Sequence, residues 1–451
     1  MRKHVHLGDV KCIYFIGIGG ISMSGLAEIL AKDGFEVRGS DWKTSVATDR
    51  LTSVGIDVRI GCDEKNITPD IDLVVYTAAI KPENLERVAA ARLGIRTIVR
   101  AELLGLMLKD YEYAVCIAGS HGKTSTTALV TAITQTAGLD PTVNIGGYIN
   151  GSINYYVGNS PYFILEACEY SNSFHHFHPQ IGAILNMDPD HMDFYGSMDA
   201  IIEAFAKFAR NIRPSGVLII NEDIQGFDKI TADLKCRVVT FNTSRLSKQY
   251  WVGNIHPPAF NVMKGSDLQA RVSLPLPGKY NMHNALAAFA IAQELKIRAD
   301  VIATALSQIV GVKRRYEYKG EFGGAIIIDD YAHHPTEIKA CLAAARDAYP
   351  NRRIICLFQP HTYTRTRDLF DEFTQAFIDA DETMFVPIYA AREPFDPSIS
   401  SAMLADKVGG ESYDSLEDAE AKLRGKLMSQ DLLITMGAGD VNFVGEWLLK
   451  R

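Results

Sequence analysis

Cysteine is sparse and has no pairing pattern. The seven residues Cys12, Cys62, Cys116, Cys168, Cys236, Cys341 and Cys356 are scattered through 451 positions, with no Cys-x-x-Cys pair. This excludes a disulfide framework and a zinc ribbon, and fits reduced thiols in a cytoplasmic protein. No run of about 20 apolar residues occurs, so no segment is expected to span a membrane as a helix. The basic start Met1-Arg2-Lys3-His4 lacks the apolar stretch and small-residue cleavage site of a secretory signal. Positive charge is not in excess either. Lys and Arg number 46 against 54 Asp and Glu, a net charge of −8, which gives no general attraction to nucleic acid or anionic membranes. A local cationic pocket for phosphates remains open. What is present is ordinary globular composition, 47% apolar and 22% charged. The length is about three times that of an average domain of roughly 150 residues, so two or three domains are expected.

Three times the chain runs from an apolar stretch through a turn into a helical pattern. The first start is Cys12–Ile16, followed by Gly17-Ile18-Gly19-Gly20 and a helical pattern at Leu26–Ala31. The second is Tyr113–Ala118, followed by Gly119-Ser120-His121-Gly122-Lys123-Thr124 and a helix to about Ala137. The third is Ala325–Ile328, with later strands at Arg353–Phe358, Glu382–Pro387 and Asp431–Thr435. Strands alternating with helices predict parallel sheets covered by helices. The fold class is therefore α/β, with three domains at 1–109, 110–318 and 319–451.

Gly119–Ser125 carries the strongest chemical signal. A strand, a tight glycine turn and a helix N-terminus direct backbone N–H groups at a phosphate chain. Lys123 would neutralise phosphate oxygens and the Thr124 hydroxyl would meet a magnesium ion. The common nucleotide loop has four residues between its glycines and this one has two, so a plain glycine turn is the alternative. Gly17-Ile18-Gly19-Gly20-Ile21-Ser22 has Ser22 where a dinucleotide fingerprint has its third glycine, and Asp41 follows about 20 residues on. Alone it fits NAD, another nucleotide or a tight turn.

Carboxylates cluster after two further strands. Glu166-Ala167-Cys168-Glu169 follows Tyr162–Leu165, and Asn186–Asp193, with His191 among aspartates, follows Ile181–Leu185. Both suit magnesium ligation beside a phosphate loop, or ordinary ion pairs. The tract His175-His176-Phe177-His178 reads as a partly exposed loop, since its spacing does not turn three rings to one ion. Asn281 and Asn284 lie on one helical face, to read an adenine or ribose edge or to cap the helix. Arg314-Arg315 at a domain junction could reach a transferring phosphoryl group, or form a solvated basic patch. In Gln359–Arg367 a cation could hold a small carboxylate.

Taken in order, these segments resemble the Mur ligase family, which assembles the peptidoglycan precursor. The resemblance runs from Gly17 to Asp440 and is carried by Gly17–Met23, Thr77-Ala78-Ala79-Ile80, Gly119–Thr127, Glu166–Phe174, Asn186–Asp193, Arg314-Arg315, Asp329–Pro335, Gln359–Arg367 and Tyr389–Pro394. The short phosphate loop is the one this family uses. The resemblance implies a Rossmann-like N-terminal domain for a UDP-sugar, a central P-loop-type ATPase domain, and a Rossmann-like C-terminal domain for an amino acid. It implies an ATP-dependent amide ligase joining L-alanine to the carboxylate of UDP-N-acetylmuramate through an acyl phosphate. ATP, UDP-N-acetylmuramate and L-alanine would be the small-molecule partners and Mg2+ the cofactor. Nucleic acid and membrane are not expected as partners, and the chain would be a monomer or homodimer.

Site residues follow from the same resemblance. Gly17, Gly19, Gly20, Ser22, Asp41, Thr77 and Ser173 would bind the UDP-sugar. Gly119, Ser120, His121, Gly122, Lys123, Thr124, Ser125, Asn281, Asn284, Arg315 and Asp330 would bind ATP. Lys123, Glu166, His191 and Arg315 would be catalytic, with Thr124, Glu166 and His191 on the metal. Tyr331, His334, His361 and Arg365 would take L-alanine. Three positions depart from many relatives: Cys168 for Asp, Tyr280 for His and Thr362 for Arg. The rival readings are a recycling ligase that attaches a ready-made murein tripeptide, an NAD-dependent oxidoreductase built on Gly17–Ser22, and a non-catalytic nucleotide switch.

Overall fold

The computed structural model describes residues 5–77, 79–149, 153–243 and 249–450. The fold is α/β and built on three sheets. The first contains β1 (Cys12–Ile16), β2 (Glu36–Asp41), β3 (Asp57–Ile60), β4 (Leu73–Tyr76) and β5 (Arg96–Val99), all parallel, in the order β3-β2-β1-β4-β5. The second contains β6 (Tyr113–Ala118), β7 (Thr142–Ile149), β8 (Ile153–Tyr156), β9 (Tyr162–Glu166), β10 (Ile181–Ile184), β11 (Val217–Asn221), β12 (Arg237–Asn242), β13 (Tyr250–His256), β14 (Ala259–Lys264) and β15 (Asp267–Ser273). Its order is β15-β14-β13-β12-β11-β10-β6-β9-β7-β8. The third contains β16 (Glu317–Phe322), β17 (Ala325–Asp330), β18 (Arg353–Phe358), β19 (Glu382–Phe385), β20 (Glu411–Ser412) and β21 (Asp431–Met436), in the order β16-β17-β21-β18-β19-β20.

The predicted parallel strands form, and antiparallel strands extend two of the sheets. β8 pairs antiparallel with β7, β14 with β13 and β15, and β16 with β17. The sequence reading had no strands at 250–273. Only β14 alternates buried and less buried residues, while β13 ends in three exposed residues and β15 buries one, a much weaker signal than the continuous apolar runs of the central strands.

Helices close the sheets by ordinary amphipathic logic. In the helix Met198–Arg210, Ile201, Ile202, Phe205, Phe208 and Ala209 recur at helical spacing and are buried. The Ser197 side chain accepts the Ala200 N–H at 3.3 Å and caps its start. Phe208 stacks on Phe174 with ring centroids 5.1 Å apart, and Phe205 meets Phe174 edge-on at 5.2 Å. Burying each such ring contributes about 1.5–3 kcal/mol. Contacts divide the chain into two compact units. One is the chain up to Ser273 with Asn284–Gln308, and the other is Leu274–His283 with the chain from Ile309 onward. Among the described residues, no helix is long and apolar enough to cross a membrane. All seven cysteines are free thiols.

Candidate functional site

In an open parallel sheet, ligands gather at the carboxyl ends of the strands, where the strand order reverses. β1 lies at such a point in the first sheet, between β2 and β4. The N–H groups of Gly17 and Ile18 both donate to the Ser40 carbonyl at 2.8 Å, pulling the turn onto the end of β2. Gly19 donates its N–H to Asp41 Oδ2 at 2.8 Å. A Cβ on Gly19 would come within 2.8 Å of Thr48 Cγ2 and 2.9 Å of Asp41 Oδ2, so glycine is required there by close approach. Gly20 precedes the helix Ile21–Lys32, whose first turn has no side-chain cap and leaves its N–H groups for an anion. Ser22 donates its hydroxyl to Asn144 Oδ1 at 3.2 Å, tying the turn to β7. Thr77 follows β4, half-buried, and Ala78 beside it lies outside the described residues. Ser173 is tied locally, donating to the Tyr170 carbonyl at 2.9 Å.

The phosphate loop sits between β6 and the helix Lys123–Thr136, with β10 and β9 on either side of β6. Gly122 has φ +80°, and a Cβ there would lie 2.4 Å from Asn284 Oδ1. Asn284 thus backs the loop. Asn186 clamps its other side, accepting the His121 N–H at 2.8 Å and donating to the His121 carbonyl at 3.0 Å. The His121 ring meets Asp188 Oδ2 at 2.9 Å. The Ser120 hydroxyl accepts the Asp188 N–H at 2.9 Å. Ser125 lies half-buried in the same first turn.

Lys123 Nζ lies 3.0 and 2.9 Å from the two oxygens of Glu169. Burial pulls the Lys123 pKa down, and the Glu169 carboxylate outweighs it and holds the ammonium above its usual range. The Thr124 hydroxyl donates to Glu166 Oε1 at 2.6 Å, and Glu166 Oε2 accepts the Gly146 N–H. His191 has a left-handed backbone, φ 56°, and stacks obliquely on Tyr170 at 4.7 Å. One ligand atom each from Glu169, Asp190 and His191 lie within 4.8 Å of one another. The proposed metal ligands therefore form two neighbouring sets, Thr124 with Glu166, and His191 with Asp190 and Glu169. Carboxylate and hydroxyl oxygens dominate, the donor set that magnesium takes.

The tract His175–His178 is bound into the fold. His175 Nε2 contacts the Ala204 carbonyl at 2.9 Å, and burial lowers its pKa. His178 Nδ1 contacts the Asn211 carbonyl at 3.2 Å.

In the second unit the two arginines of the junction separate in role. Arg314, at φ 59°, donates to Asp329 Oδ2 at 3.1 Å and to the carbonyls of Gly439 and Gly437 at 2.8 and 2.6 Å. Arg315 stacks on Tyr331 at 5.0 Å, its N–H donates to the Val312 carbonyl at 3.1 Å, and its side chain makes no hydrogen bond or ion pair among the described residues. Asp330 is buried, and its two oxygens accept the Tyr316 and Ala332 N–H groups, each at 2.7 Å. Burial raises its pKa to about 6 against the pull of Arg315 and those N–H donors. Its carboxylate thus shapes the backbone that carries Arg315. Asn281 donates its amide to the Pro277 carbonyl at 2.7 Å.

Tyr331 and His333 meet edge-on at 5.4 Å, and His333 meets His361 at 5.7 Å. His361 stacks on Tyr389, and Arg365 Nη1 lies 3.3 Å from His361 Nδ1. Burial, and then the Arg365 charge, lower the His361 pKa to about 4, so the ring is neutral near pH 7. His334 is buried and caps the helix Pro335–Ala348 through Nδ1, which accepts the Thr336 N–H at 3.3 Å.

Sequence reasoning gave no site role to four members of these clusters, Glu169, Asp190, His333 and Tyr389. Glu169 was noted only as a neighbour of Glu166; its position three residues on was the available signal. Asp190, His333 and Tyr389 lay within segments that carried the resemblance, but the packing of His333 and Tyr389 against His361 was not legible, because ring contacts between distant segments leave no spacing in the sequence.

A parallel sheet with a strand crossover, a short glycine loop at a helix N-terminus and carboxylates at the neighbouring strand end define a nucleotide-binding α/β protein, and comparison with known proteins places it among ATP-dependent ligases. Residues 12–112 match the Mur ligase family catalytic domain, 117–292 the Mur ligase middle domain and 314–439 the Mur ligase glutamate ligase domain. The chain belongs to the Mur ligase family. It is 45% identical over 450 residues to a UDP-N-acetylmuramate–L-alanine ligase of Clostridium novyi, covering 98% of this chain and 97% of that one. It is likewise 45% identical over 449 residues to the enzyme of that name from Lachnospira eligens, covering 97% and 98%. Among solved structures, the UDP-N-acetylmuramate–alanine ligase of Thermotoga maritima superposes with a TM-score of 0.79 at 28% identity, covering 98% of this chain and 99% of that one. A murein peptide ligase from Psychrobacter arcticus, at 23% identity and TM-score 0.71 over 97% and 98%, shares the fold.

Proposed function

We infer that the chain is an ATP-dependent ligase joining L-alanine to the carboxylate of UDP-N-acetylmuramate, releasing ADP and phosphate, in cytoplasmic synthesis of the peptidoglycan precursor. The observation that carries this reading is the pairing of Lys123 with Glu169 and of Thr124 with Glu166 around one short phosphate loop. It stands in a chain alike over its whole length to ligases of that name. The domain limits proposed for it are 1–109, 110–318 and 319–451.

The substrate carboxylate oxygen bonds to the γ-phosphorus and the bond to the β–γ bridging oxygen breaks, giving an acyl phosphate and ADP. The amine of L-alanine then attacks the acyl carbon, inorganic phosphate leaves, and the nitrogen loses a proton. Lys123 exchanges Glu169 for phosphate oxygens, and Arg315, whose side chain makes no hydrogen bond, is the second cation proposed for the transferring group. Thr124 and Glu166, with His191, Asp190 and Glu169, would hold magnesium, which supplies charge neutralisation on the phosphates. The proton leaves to His191 or to a substrate oxygen. His361, Arg365 and Tyr331 form the amino-acid side, where Arg365 holds the alanine carboxylate and a neutral His361 adds no second cation.

Phosphate release tests the reading, with ATP, magnesium and UDP-N-acetylmuramate plus L-alanine, glycine, L-serine or the murein tripeptide in turn. Release that needs both the sugar nucleotide and L-alanine is expected. Release with the tripeptide alone would assign the chain to recycling instead.

A further inference from the structure

The strand registers of the first sheet place four residues in one row along its carboxyl edge. Ser40 pairs with Ile16, Ile16 with Tyr76, and Tyr76 with Val99. The residues that follow these partners are Asp41, Gly17, Thr77 and Arg100. The first three are the candidates for sugar-nucleotide binding. The fourth has no role yet.

Arg100 opens the helix Arg100–Leu108, which connects the first sheet to β6. That helix lies hard against the segment following Glu169: a Cβ on Gly105 would sit 2.2 Å from the His176 carbonyl oxygen. The guanidinium is half-buried, and the carboxylate that acts on it is Glu166 at the end of β9, with the neutral Cys168 thiol nearby. Neither comes within ion-pair distance, and Arg100 makes no side-chain hydrogen bond or ion pair among the described residues. That carboxylate is already engaged, since the Glu166 oxygens accept from Thr124 and Gly146. A half-buried guanidinium without a counter-anion is costly unless an anion arrives. Lys123, the loop's own cation, is matched by Glu169.

We propose that Arg100 holds the carboxylate of the sugar nucleotide that becomes phosphorylated, reaching from the sugar-binding edge to the end of β9. This rests on the ligase reading. The fork of N–H donors binds both carboxylate oxygens and orients one toward the γ-phosphorus; after transfer it binds the acyl-phosphate oxygens. The bonds made and broken are those of the first step given above, and Arg100 exchanges no proton.

The test uses two ligands that differ only by the lactyl ether that carries this carboxylate. UDP-N-acetylmuramate carries the carboxylate, and UDP-N-acetylglucosamine has the same diphosphate and sugar without it. Calorimetric titration of Arg100→Met should show UDP-N-acetylmuramate binding about tenfold or more weaker, with UDP-N-acetylglucosamine unchanged within about twofold. Arg100→Lys should fall between, since it keeps charge and loses the fork. Equal weakening of both ligands would overturn the proposal in favour of a diphosphate or structural role, and no change in either would overturn it outright. Should Arg100→Met fail to fold, Arg100→Lys and Arg100→Gln carry the same comparison. Wild-type protein that ignores both nucleotides would defeat the ligase reading itself, an outcome separate from any behaviour of the variants.

Discussion

Glu169 presents both carboxylate oxygens to Lys123 Nζ, at 3.0 and 2.9 Å, and only 3% of its side chain is exposed. The lysine of the phosphate loop is thus stored in an ion pair, and a nucleotide must compete for it.

Two substitutions separate the storage from the chemistry. Lys123→Ala should abolish phosphate release while leaving UDP-N-acetylmuramate binding intact. Glu169→Gln strands a buried ammonium and should cost about 3 kcal/mol in urea unfolding. ADP with magnesium should restore much of that loss by supplying the missing negative charge. Equal loss of sugar binding in Lys123→Ala would mean that the two sites are not separate.

Gly122 combines φ +80° with a Cβ direction blocked by Asn284 Oδ1 at 2.4 Å. Gly122→Ala should lower stability by about 1–3 kcal/mol. It should also remove the thermal shift produced by ADP. An alanine variant with wild-type nucleotide response would show that the loop relaxes freely.

Arg314 and Arg315 should behave oppositely although adjacent. Arg314→Ala removes donors to Asp329 and two carbonyls and should destabilise the protein by about 3 kcal/mol. Arg315→Ala loses the ring contact with Tyr331 and the attraction to Asp330, so it should cost less stability than Arg314→Ala, about 1 kcal/mol, and reduce kcat by about a hundredfold or more. Denaturation and steady-state rates on the same two preparations decide it.

His361 gives a pH signature. Its folded pKa, about 4, is below the ordinary histidine value of 6.5, so the folded state binds the proton less readily. Stability should be unaffected by this ring above pH 6.5 and should fall as the pH drops from there toward 4. The facing charged groups are Arg365, which opposes protonation, and Glu393, which favours it, with His333 and Tyr389 packed alongside. His361→Gln should flatten that part of the urea-midpoint profile. A variant with the same acid slope as wild type would place the proton uptake elsewhere.

How far the site could be read from the sequence depended on whether neighbours in space were neighbours in the chain. Gly119–Thr124 was legible because strand, turn and helix start are consecutive, and backbone N–H groups do most of the work. The Lys123–Glu169 pair was not, because Glu169 enters through the β6–β9 pairing. His361 and Tyr389 stack because β18 and β19 are parallel neighbours, which no spacing records.

The sequence alone determined the alternation of strand and helix, the two glycine-turn starts and the residue types at the phosphate loop, since local periodicity and backbone freedom are properties of contiguous residues. Only the tertiary structure decided which carboxylate stores Lys123, which arginine of the pair is structural, and that Arg100 stands in line with Asp41, Gly17 and Thr77. Those outcomes follow from sheet order and register, which are set by packing across the whole domain.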